Sequence, residues 1–470
     1  MKKSVLFAAV AAFASCVLAD PSVVDGSVSI LTPEGEPVST ITYTLTGGPA
    51  IVTIDIETNE LSDASGAWVQ VDGQAIGSLV GEANRVVRTC DTPVKAYLRP
   101  SATWNRSAVA VGALRAVVRA WKIDDPPDYM VVNLTETQKD VVNPRSVNTL
   151  DVICDPKTPS FYASAQSLPG GLLENVAYRT DKIVMRRIPA ANVVWKKGSP
   201  TDELPGESSK YDTAYEQEEL LHNVKLTKDY YMAVFEMTQG QYYNFKKWNP
   251  SGHQSRADWK MRPVEKVEMA VLRGRSWTSR ENHAYCWPED GHGVSTTSAL
   301  GMLRELTGVD FDLPTDAEWE YACRAGCGGA FANGATDVDN ASKIGWYLGH
   351  VSVAGEAEPV GTKSPNDFGI YDMHGNVAEL LLDNNATAGP AAYKKSLVSD
   401  WETGGVTIDP KGPLTDEGPS STSSTVIRRG GSMKHSWVKA RSAAMMCGST
   451  TWVDDYIGFR VACPIDVVKQ

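Results

Sequence analysis

Residues 313–322 read LPTDAEWEYA and decide how the second half of this chain folds. Thr315 followed three residues later by Glu318 forms a capping box, which predicts that a helix begins after Thr315. The apolar face of that helix has the spacing i, i+3 and i+4 and consists of Trp319, Ala322 and Cys323. We therefore expect this helix to be packed against a core rather than exposed.

A second stretch, NDFGIYDMHGNVAE at residues 366–379, carries oxygen ligands at regular spacing. The carboxylates of Asp372 and Glu379 bracket the alternate backbone carbonyls of Gly375 and Val377. Ca²⁺ prefers several hard oxygen ligands, and a glycine permits the sharp turn that such a site needs. From the residues alone, two interpretations remain open: a calcium site, or a turn followed by a strand with both acids solvated.

These two stretches belong to a set of six that occur in one order along the chain. The other four are residues 231–239 (YMAVFEMTQ), 262–267 (RPVEKV), 429–432 (RGGS) and 458–462 (GFRVA). In this order they resemble the domain of the formylglycine-generating enzymes, the sulfatase-modifying factors. The resemblance implies an α+β domain related to C-type lectins, with little regular secondary structure. It implies nothing about residues 20–180.

The resemblance also implies a chemistry that this chain does not reproduce. Active members of the family convert a cysteine of a sulfatase into formylglycine, using a Cys-x-x-x-x-Cys pair that binds Cu(I) and activates oxygen. Counted from Ser432, the two cysteine positions are occupied here by His435 and Ala440. Two thiolates suit a cuprous ion and alanine binds no metal, so copper is not expected. A single-ligand relic of the copper site at His435 is the alternative to an ordinary histidine.

For the acidic stretch, the resemblance favours calcium. It implies a structural Ca²⁺ held by the side chains of Asp372 and Glu379 and by the carbonyls of Gly375 and Val377. Other chemistries lack their motifs, because the sequence has no Gly-x-Ser-x-Gly elbow, no phosphate loop and no His-Glu-x-x-His.

Eight cysteines constrain the fold further. The resemblance pairs Cys323 with Cys447, and a reactive thiol at Cys447 is the alternative. Cys154 could form a bridge with Cys90, although sequence does not settle pairing. Cysteines at this number fit an oxidising compartment.

The first half of the chain has a different sequence pattern. Short runs such as residues 40–45 and 51–56 alternate apolar and polar residues and are separated by turn formers, which predicts an all-β sandwich. The predicted organisation is a signal peptide, a β-sandwich domain, a linker or small subdomain, and a sulfatase-modifying-factor-like domain, at residues 1–19, 20–135, 136–181 and 182–470.

The first nineteen residues predict export. Lys2 and Lys3 precede an apolar run that ends before a small-residue cleavage site at Ala19, and this run is too short to span a bilayer. A lipoprotein anchor at Cys16 is the alternative. No later stretch is apolar enough for a membrane span. The mature protein is thus expected to be secreted, periplasmic or at the cell surface.

The net charge of −12, without a basic run, disfavours nucleic acid as a partner. With the scaffold intact and the copper ligands replaced, we expect a binding or structural module for a protein or glycan partner. The alternative is an enzyme: a formylglycine-generating oxidase that matures sulfatases, or another oxidoreductase, with altered active-site residues.

Overall fold

The structure, a computed structural model, describes most of the chain after residue 19. The described residues are 20–32, 38–59, 66–102, 104, 114–135, 157–200, 203, 219, 221–274, 294–385, 405–410, 425–449 and 451–467. Cys154 and the predicted signal peptide lie outside them. Within the described residues no helix is long and apolar enough to cross a membrane.

The N-terminal region is a sandwich of two antiparallel sheets, as predicted. Its strands are β1 (Ser22–Val23), β2 (Ser29–Leu31), β3 (Ser39–Thr46), β4 (Ala50–Asn59), β5 (Trp68–Gln70), β6 (Ile76–Gly81), β7 (Arg85–Val87), β8 (Pro93–Pro100) and β9 (Leu114–Trp121). One sheet has the order β1-β3-β8-β6 with β2 on β3, and the other has the order β5-β4-β7 with β9 on β4. Along β3 every second side chain is fully buried, because successive residues of a strand point to opposite faces.

The second region is α+β, with short helices and strands in four small sheets. Its strands are β10 (Tyr129–Asn133), β11 (Ser160–Tyr162), β12 (Lys182–Ile188), β13 (Val194–Lys197), β14 (His222–Lys225), β15 (Tyr230–Ala233), β16 (Gly345–Trp346), β17 (His374–Gly375), β18 (Ala378–Asn385), β19 (Val406–Ile408), β20 (Thr425–Arg429), β21 (Met445–Ser449), β22 (Ile457–Gly458) and β23 (Ala462–Pro464). Its helices are α1 (Gln239–Lys246), α2 (Met269–Arg273), α3 (Ala299–Thr307), α4 (Asp316–Arg324) and α5 (Val338–Ala341).

Two of these sheets frame the site described below. The first has the order β11-β10-β12-β15-β23, and the second has the order β21-β20-β18-β22. In the second sheet, β22 runs parallel to β18 while β20 and β21 are antiparallel to their neighbours. The stretches at 366–379, 429–432 and 458–462 therefore come together at β18, β20 and β22.

Helix α4 begins where the capping box predicts. The backbone N–H of Glu318 donates to the Thr315 hydroxyl at 3.2 Å, and the Thr315 N–H donates to the Glu318 carboxylate at 2.8 Å. The three residues of the predicted apolar face, Trp319, Ala322 and Cys323, are all fully buried. This prediction is confirmed.

The boundary between the two regions differs from the predicted one at residue 135. Strand β10 pairs with β12 over five residues, so the sheet of the second region already contains residues 129–133. The segment that follows also contacts the sandwich, since Phe161 N–H donates to the Asn84 carbonyl at 2.8 Å. The sequence did not predict this pairing, because the partner of β10 lies about fifty residues further along the chain. Strand propensity indicates where strands form but not which strands pair.

Candidate functional site

The candidate site begins at the loop after β20. Gly430 and Gly431 both have positive φ, at 87° and 67°, which glycine adopts without steric cost. The Gly430 carbonyl accepts a hydrogen bond from Gly375 N–H at 2.7 Å, and Met433 N–H donates to the Asn376 carbonyl at 2.9 Å. The loop that carries Ser432, His435 and Ala440 is thus held directly on the 366–379 stretch.

The hydroxyl of Ser432 fixes the imidazole of His435. The two groups lie 2.7 Å apart at Nδ1, and the Ser432 oxygen also accepts the Lys434 N–H at 3.2 Å. Ser432 is fully buried, so its hydroxyl proton needs an acceptor, and Nδ1 of His435 is the one within reach. We therefore assign the neutral tautomer of His435 with its proton on Nε2.

The surroundings of His435 favour this neutral form. Burial is the main cause that lowers its pKa to about 4, and the nearby cations of Arg428 and Lys439 lower it further. Tyr456 packs edge-on against the imidazole, with ring centroids 5.0 Å apart. His435 is thus placed as a hydrogen-bond donor beside an aromatic ring.

Ala440 has different neighbours. Its methyl group is fully buried in an apolar cluster that includes Phe331 and Tyr347. Its carbonyl accepts a hydrogen bond from His374 Nδ1 at 2.8 Å. The other nitrogen of His374 accepts the Ala332 N–H at 3.2 Å, so this imidazole is neutral as well. His435 and Ala440 therefore contact separate groups.

The predicted disulfide between Cys323 and Cys447 is not formed in the structure. The Cys323 thiol lies 3.6 Å from His374 Nε2 within the core, and burial raises its pKa to about 12. Cys447 lies in β21, paired with Ile427 of β20. Because Cys154 lies outside the described residues, the Cys90–Cys154 pairing stays a prediction.

The buried His374 predicts a specific dependence of stability on pH. Burial lowers its pKa from 6.5 to about 4, so between these values the unfolded chain binds a proton that the folded chain does not. Stability from this group is therefore complete above pH 6.5 and is lost as pH falls to about 4. Relative to His374→Gln, the wild-type free energy of unfolding should fall by about 3 kcal/mol across this window, measured by urea unfolding.

The control for this measurement is His350→Gln, since His350 is partly exposed. Replacing it should change the free energy of unfolding by no more than about 0.5 kcal/mol. A His374→Gln variant that tracks the wild type at every pH would contradict the assignment of a buried neutral imidazole.

The residues of the predicted calcium site lie together but are not equivalent. Both oxygens of Glu379 accept hydrogen bonds from the Arg460 guanidinium, at 2.6–2.9 Å, and one also accepts the Trp319 indole N–H at 2.7 Å. One oxygen of Asp372 accepts Gly361 N–H at 2.7 Å, and the other is buried without a hydrogen-bond partner. One buried oxygen of Asp372 thus stays available to a cation, whereas both oxygens of Glu379 are engaged by Arg460 and Trp319.

Within the described residues, no group of three or more His, Cys, Asp or Glu side chains is arranged to hold a metal ion. In this fold, close packing against a neighbouring strand also requires a glycine at position 375. A Cβ on Gly375, whose φ is 109°, would lie 2.1 Å from the carbonyl oxygen of Trp346 in the neighbouring strand β16. Calcium at Asp372, Gly375, Val377 and Glu379 stays a prediction, which elemental analysis of the purified protein tests.

A third buried carboxylate, which sequence reasoning missed, adjoins this pair. Glu236 accepts hydrogen bonds from the Asn376 amide at 2.6 Å and from Val377 N–H at 3.1 Å. Its pKa is raised well above the usual value, first by burial and then by the charges of Asp372 and Glu379. Burial likewise raises the pKa of Asp372 to about 6. Arg460 is the cation that balances this acidic cluster.

This α+β domain with its glycine-anchored loop matches a known class of domain. The family described as Sulfatase-modifying factor enzyme 1-like domain (FGE-sulfatase) matches residues 203–465, which is more than half of the 470-residue chain. The chain belongs to this family.

Comparison with individual proteins gives more distant similarities. Chaperone protein LppX from Paenibacillus barcinonensis is 28% identical over 183 residues, which cover 33% of this chain and 62% of that relative. The chain thus spans less than two thirds of that relative. Among solved structures, Treponema denticola variable protein 1 and PvdO from Pseudomonas aeruginosa are each 20% identical. Each covers 60% of this chain, with TM-scores of 0.40 and 0.41, and the matches cover 95% and 94% of those chains.

Proposed function

We propose that this protein is an exported member of the family that acts as a binding module and does not perform the copper-dependent oxidation. The observation that carries the proposal is the environment of the two positions that match the copper-binding cysteines. At one, Nδ1 of His435 lies 2.7 Å from the Ser432 hydroxyl and accepts its hydrogen bond in the neutral tautomer assigned above. At the other, the methyl group of Ala440 is buried among apolar side chains.

This arrangement supports a binding role on chemical grounds. Cu(I) is a soft ion that needs thiolate or comparable ligands, and a single neutral imidazole does not supply a pair. An Nε2–H group beside an aromatic ring is suited to donate a hydrogen bond to a ligand instead. The arrangement therefore keeps a polar recognition element where the family motif has a redox centre.

The surface around His435 supports a protein partner. The Leu348 N–H donates to the His435 carbonyl, and the Leu348 side chain is 59% exposed. Trp452 and Val453, which precede Tyr456 in the chain, are 46% and 49% exposed. Exposed apolar side chains near a polar group are typical of protein-binding surfaces. The match to a relative named as a chaperone is consistent with such a role.

The export part of the proposal rests on the sequence of residues 1–19. Cleavage after Ala19 would make Asp20 the first residue of the mature protein. A lipid-modified Cys16 would contradict this arrangement.

The test of the proposed function is an oxygen-uptake assay with a Cys-x-Pro-x-Arg peptide. We expect purified protein supplied with Cu(I) to consume oxygen no faster than buffer containing the same copper and peptide. A genuine formylglycine-generating oxidase is the positive control. Copper-dependent conversion of the peptide cysteine to formylglycine, seen as a mass change, would contradict the binding-module proposal and support the alternative of an oxidase with altered ligands.

A further inference from the structure

Arg428 in β20 is a buried cation without a counter-ion. Its side chain is 4% exposed, and no carboxylate of the described residues lies within salt-bridge distance of it. Every other buried Lys or Arg side chain in the described part of the chain does have such a partner. These pairs are Lys197–Asp316, Arg262–Asp258, Arg273–Asp312, Arg324–Glu320, Arg429–Asp316, Arg441–Glu219 and Arg460–Glu379.

The hydrogen bonds of Arg428 are also incomplete. One terminal nitrogen donates to the Cys447 carbonyl at 3.2 Å, but the buried Nε–H has no hydrogen-bond partner. The guanidinium lies under the ring of Trp452, 4.7 Å from its centroid. Burying an unpaired charge and an unsatisfied donor is costly. A residue that exists only to stabilise the fold would be better replaced by an apolar side chain.

The backbone makes room for this guanidinium. A Cβ on Gly448, in the adjacent strand β21, would lie 2.0 Å from an Arg428 terminal nitrogen and 2.9 Å from the Trp452 ring. The missing side chain at Gly448 therefore forms the space in which Arg428 and Trp452 sit.

Arg428 lies beside the site already described. It is one of the two cations that lower the pKa of His435, and it also contacts the Tyr456 hydroxyl, whose pKa is raised by burial despite this cation. Trp452, which covers it, is about half exposed. A ligand can reach the guanidinium only if this indole ring moves.

We propose that Arg428 binds the carboxylate of a partner peptide. In this complex Trp452 covers or contacts the ligand, and His435 Nε2–H is a neighbouring hydrogen-bond donor. This inference rests on the proposed function, because it names the chemistry by which the same surface recognises its partner. A carboxylate supplies both the missing charge and an acceptor for the unused N–H.

A peptide carboxylate fits better than the sulfate of a modified sugar. The exposed residues at this surface are aliphatic as well as aromatic, namely Leu348, Val453 and Trp452. Aliphatic side chains next to a charge suit an apolar residue beside a carboxylate, whereas sugar recognition depends on aromatic faces with many polar groups. The ligand class is therefore an apolar peptide segment that carries a free carboxylate.

The experiment uses the full mature chain and follows the indole ¹H–¹⁵N resonance of Trp452, assigned with Trp452→Phe. The probes are N-acetyl-leucine and N-acetyl-leucinamide, which differ only in the charge of the terminal group, and inorganic sulfate. We expect N-acetyl-leucine to shift the resonance in a saturable manner and the amide not to do so. In Arg428→Met the dissociation constant should rise by about 10–100-fold, as expected for loss of a charge-assisted hydrogen bond.

Two variants keep this test decisive. Arg428→Lys retains the charge without the planar fork and should bind with intermediate affinity. Arg115→Met removes another arginine stacked on an aromatic ring, 4.4 Å from Trp68 but paired with Glu57, and should leave binding unchanged. Equal shifts with acid and amide, unchanged binding by folded Arg428→Met, or saturable binding of sulfate alone would each overturn the proposal. Oxidase activity in the oxygen-uptake assay would overturn the proposed function without bearing on these titrations.

Discussion

Replacing Arg460 by methionine should lower the free energy of unfolding by about 3–5 kcal/mol, because it leaves buried carboxylates without their cation. Arg460 is fully buried and holds both oxygens of Glu379. Its remaining N–H groups donate to the carbonyls of Ala233 at 3.1 Å and Tyr371 at 3.0 Å. One side chain thus ties β15 and β18 to the 366–379 stretch. Urea or thermal unfolding of the purified variant measures the loss.

A double-mutant cycle separates the ion pair from simple loss of packing. Glu379→Gln with Arg460→Met should be less destabilised than the sum of the single variants, since neither charge is then left alone. The matched control is Arg256→Met, which removes an arginine that also binds a carboxylate bidentately, Glu356 at 2.8 and 3.0 Å, but at the surface. Its effect should be small. An Arg460→Met variant as stable as Arg256→Met would contradict the assigned role.

Local features of the structure were predictable from the sequence. The capping box at Thr315 and the buried face of α4 depend on residues within one or two helical turns, so their spacing carries the information. The alternation along β3 and β4 likewise predicts the sandwich. The six stretches, in their order along the chain, resemble those of a known family, and this resemblance predicted the domain in the second half of the chain.

Features that depend on distant residues were not predictable in the same way. Glu236 became a candidate site residue only when the fold placed it beside Val377, more than a hundred positions away in the chain. Arg428 became one only when the fold placed it against Cys447 in the neighbouring strand. A charged residue in a strand, next to a second arginine, was the available signal for Arg428, and taken alone it suggests an exposed edge. The sequence did not reveal the role of Arg460 for a related reason. Either Ca²⁺ or a guanidinium can neutralise the carboxylate of Glu379, and the motif alone does not distinguish them.

Placing cysteines at both positions should raise the Cu(I) affinity of the protein well above that of the natural chain. In His435→Cys/Ala440→Cys, two soft ligands replace an imidazole and a methyl group. A residue that only hydrogen-bonds to a metal ligand contributes roughly 10–100-fold to metal affinity. Two direct thiolate ligands should therefore raise the Cu(I) affinity by more than this factor. Ala440 is fully buried, so the added sulfur must be accommodated by repacking, and circular dichroism and thermal unfolding of the variant serve as controls. Each single cysteine variant should bind copper more weakly than the pair.

The most direct test of the account is a Cu(I) titration of the natural protein in competition with a chromogenic cuprous chelator under anaerobic conditions. The neutral tautomer assigned to His435 and the buried methyl group of Ala440 predict that the protein leaves the chelator fully loaded at equimolar concentrations. Stoichiometric removal of Cu(I) from the chelator, lost in His435→Gln, would contradict the claim that this site has exchanged copper chemistry for binding.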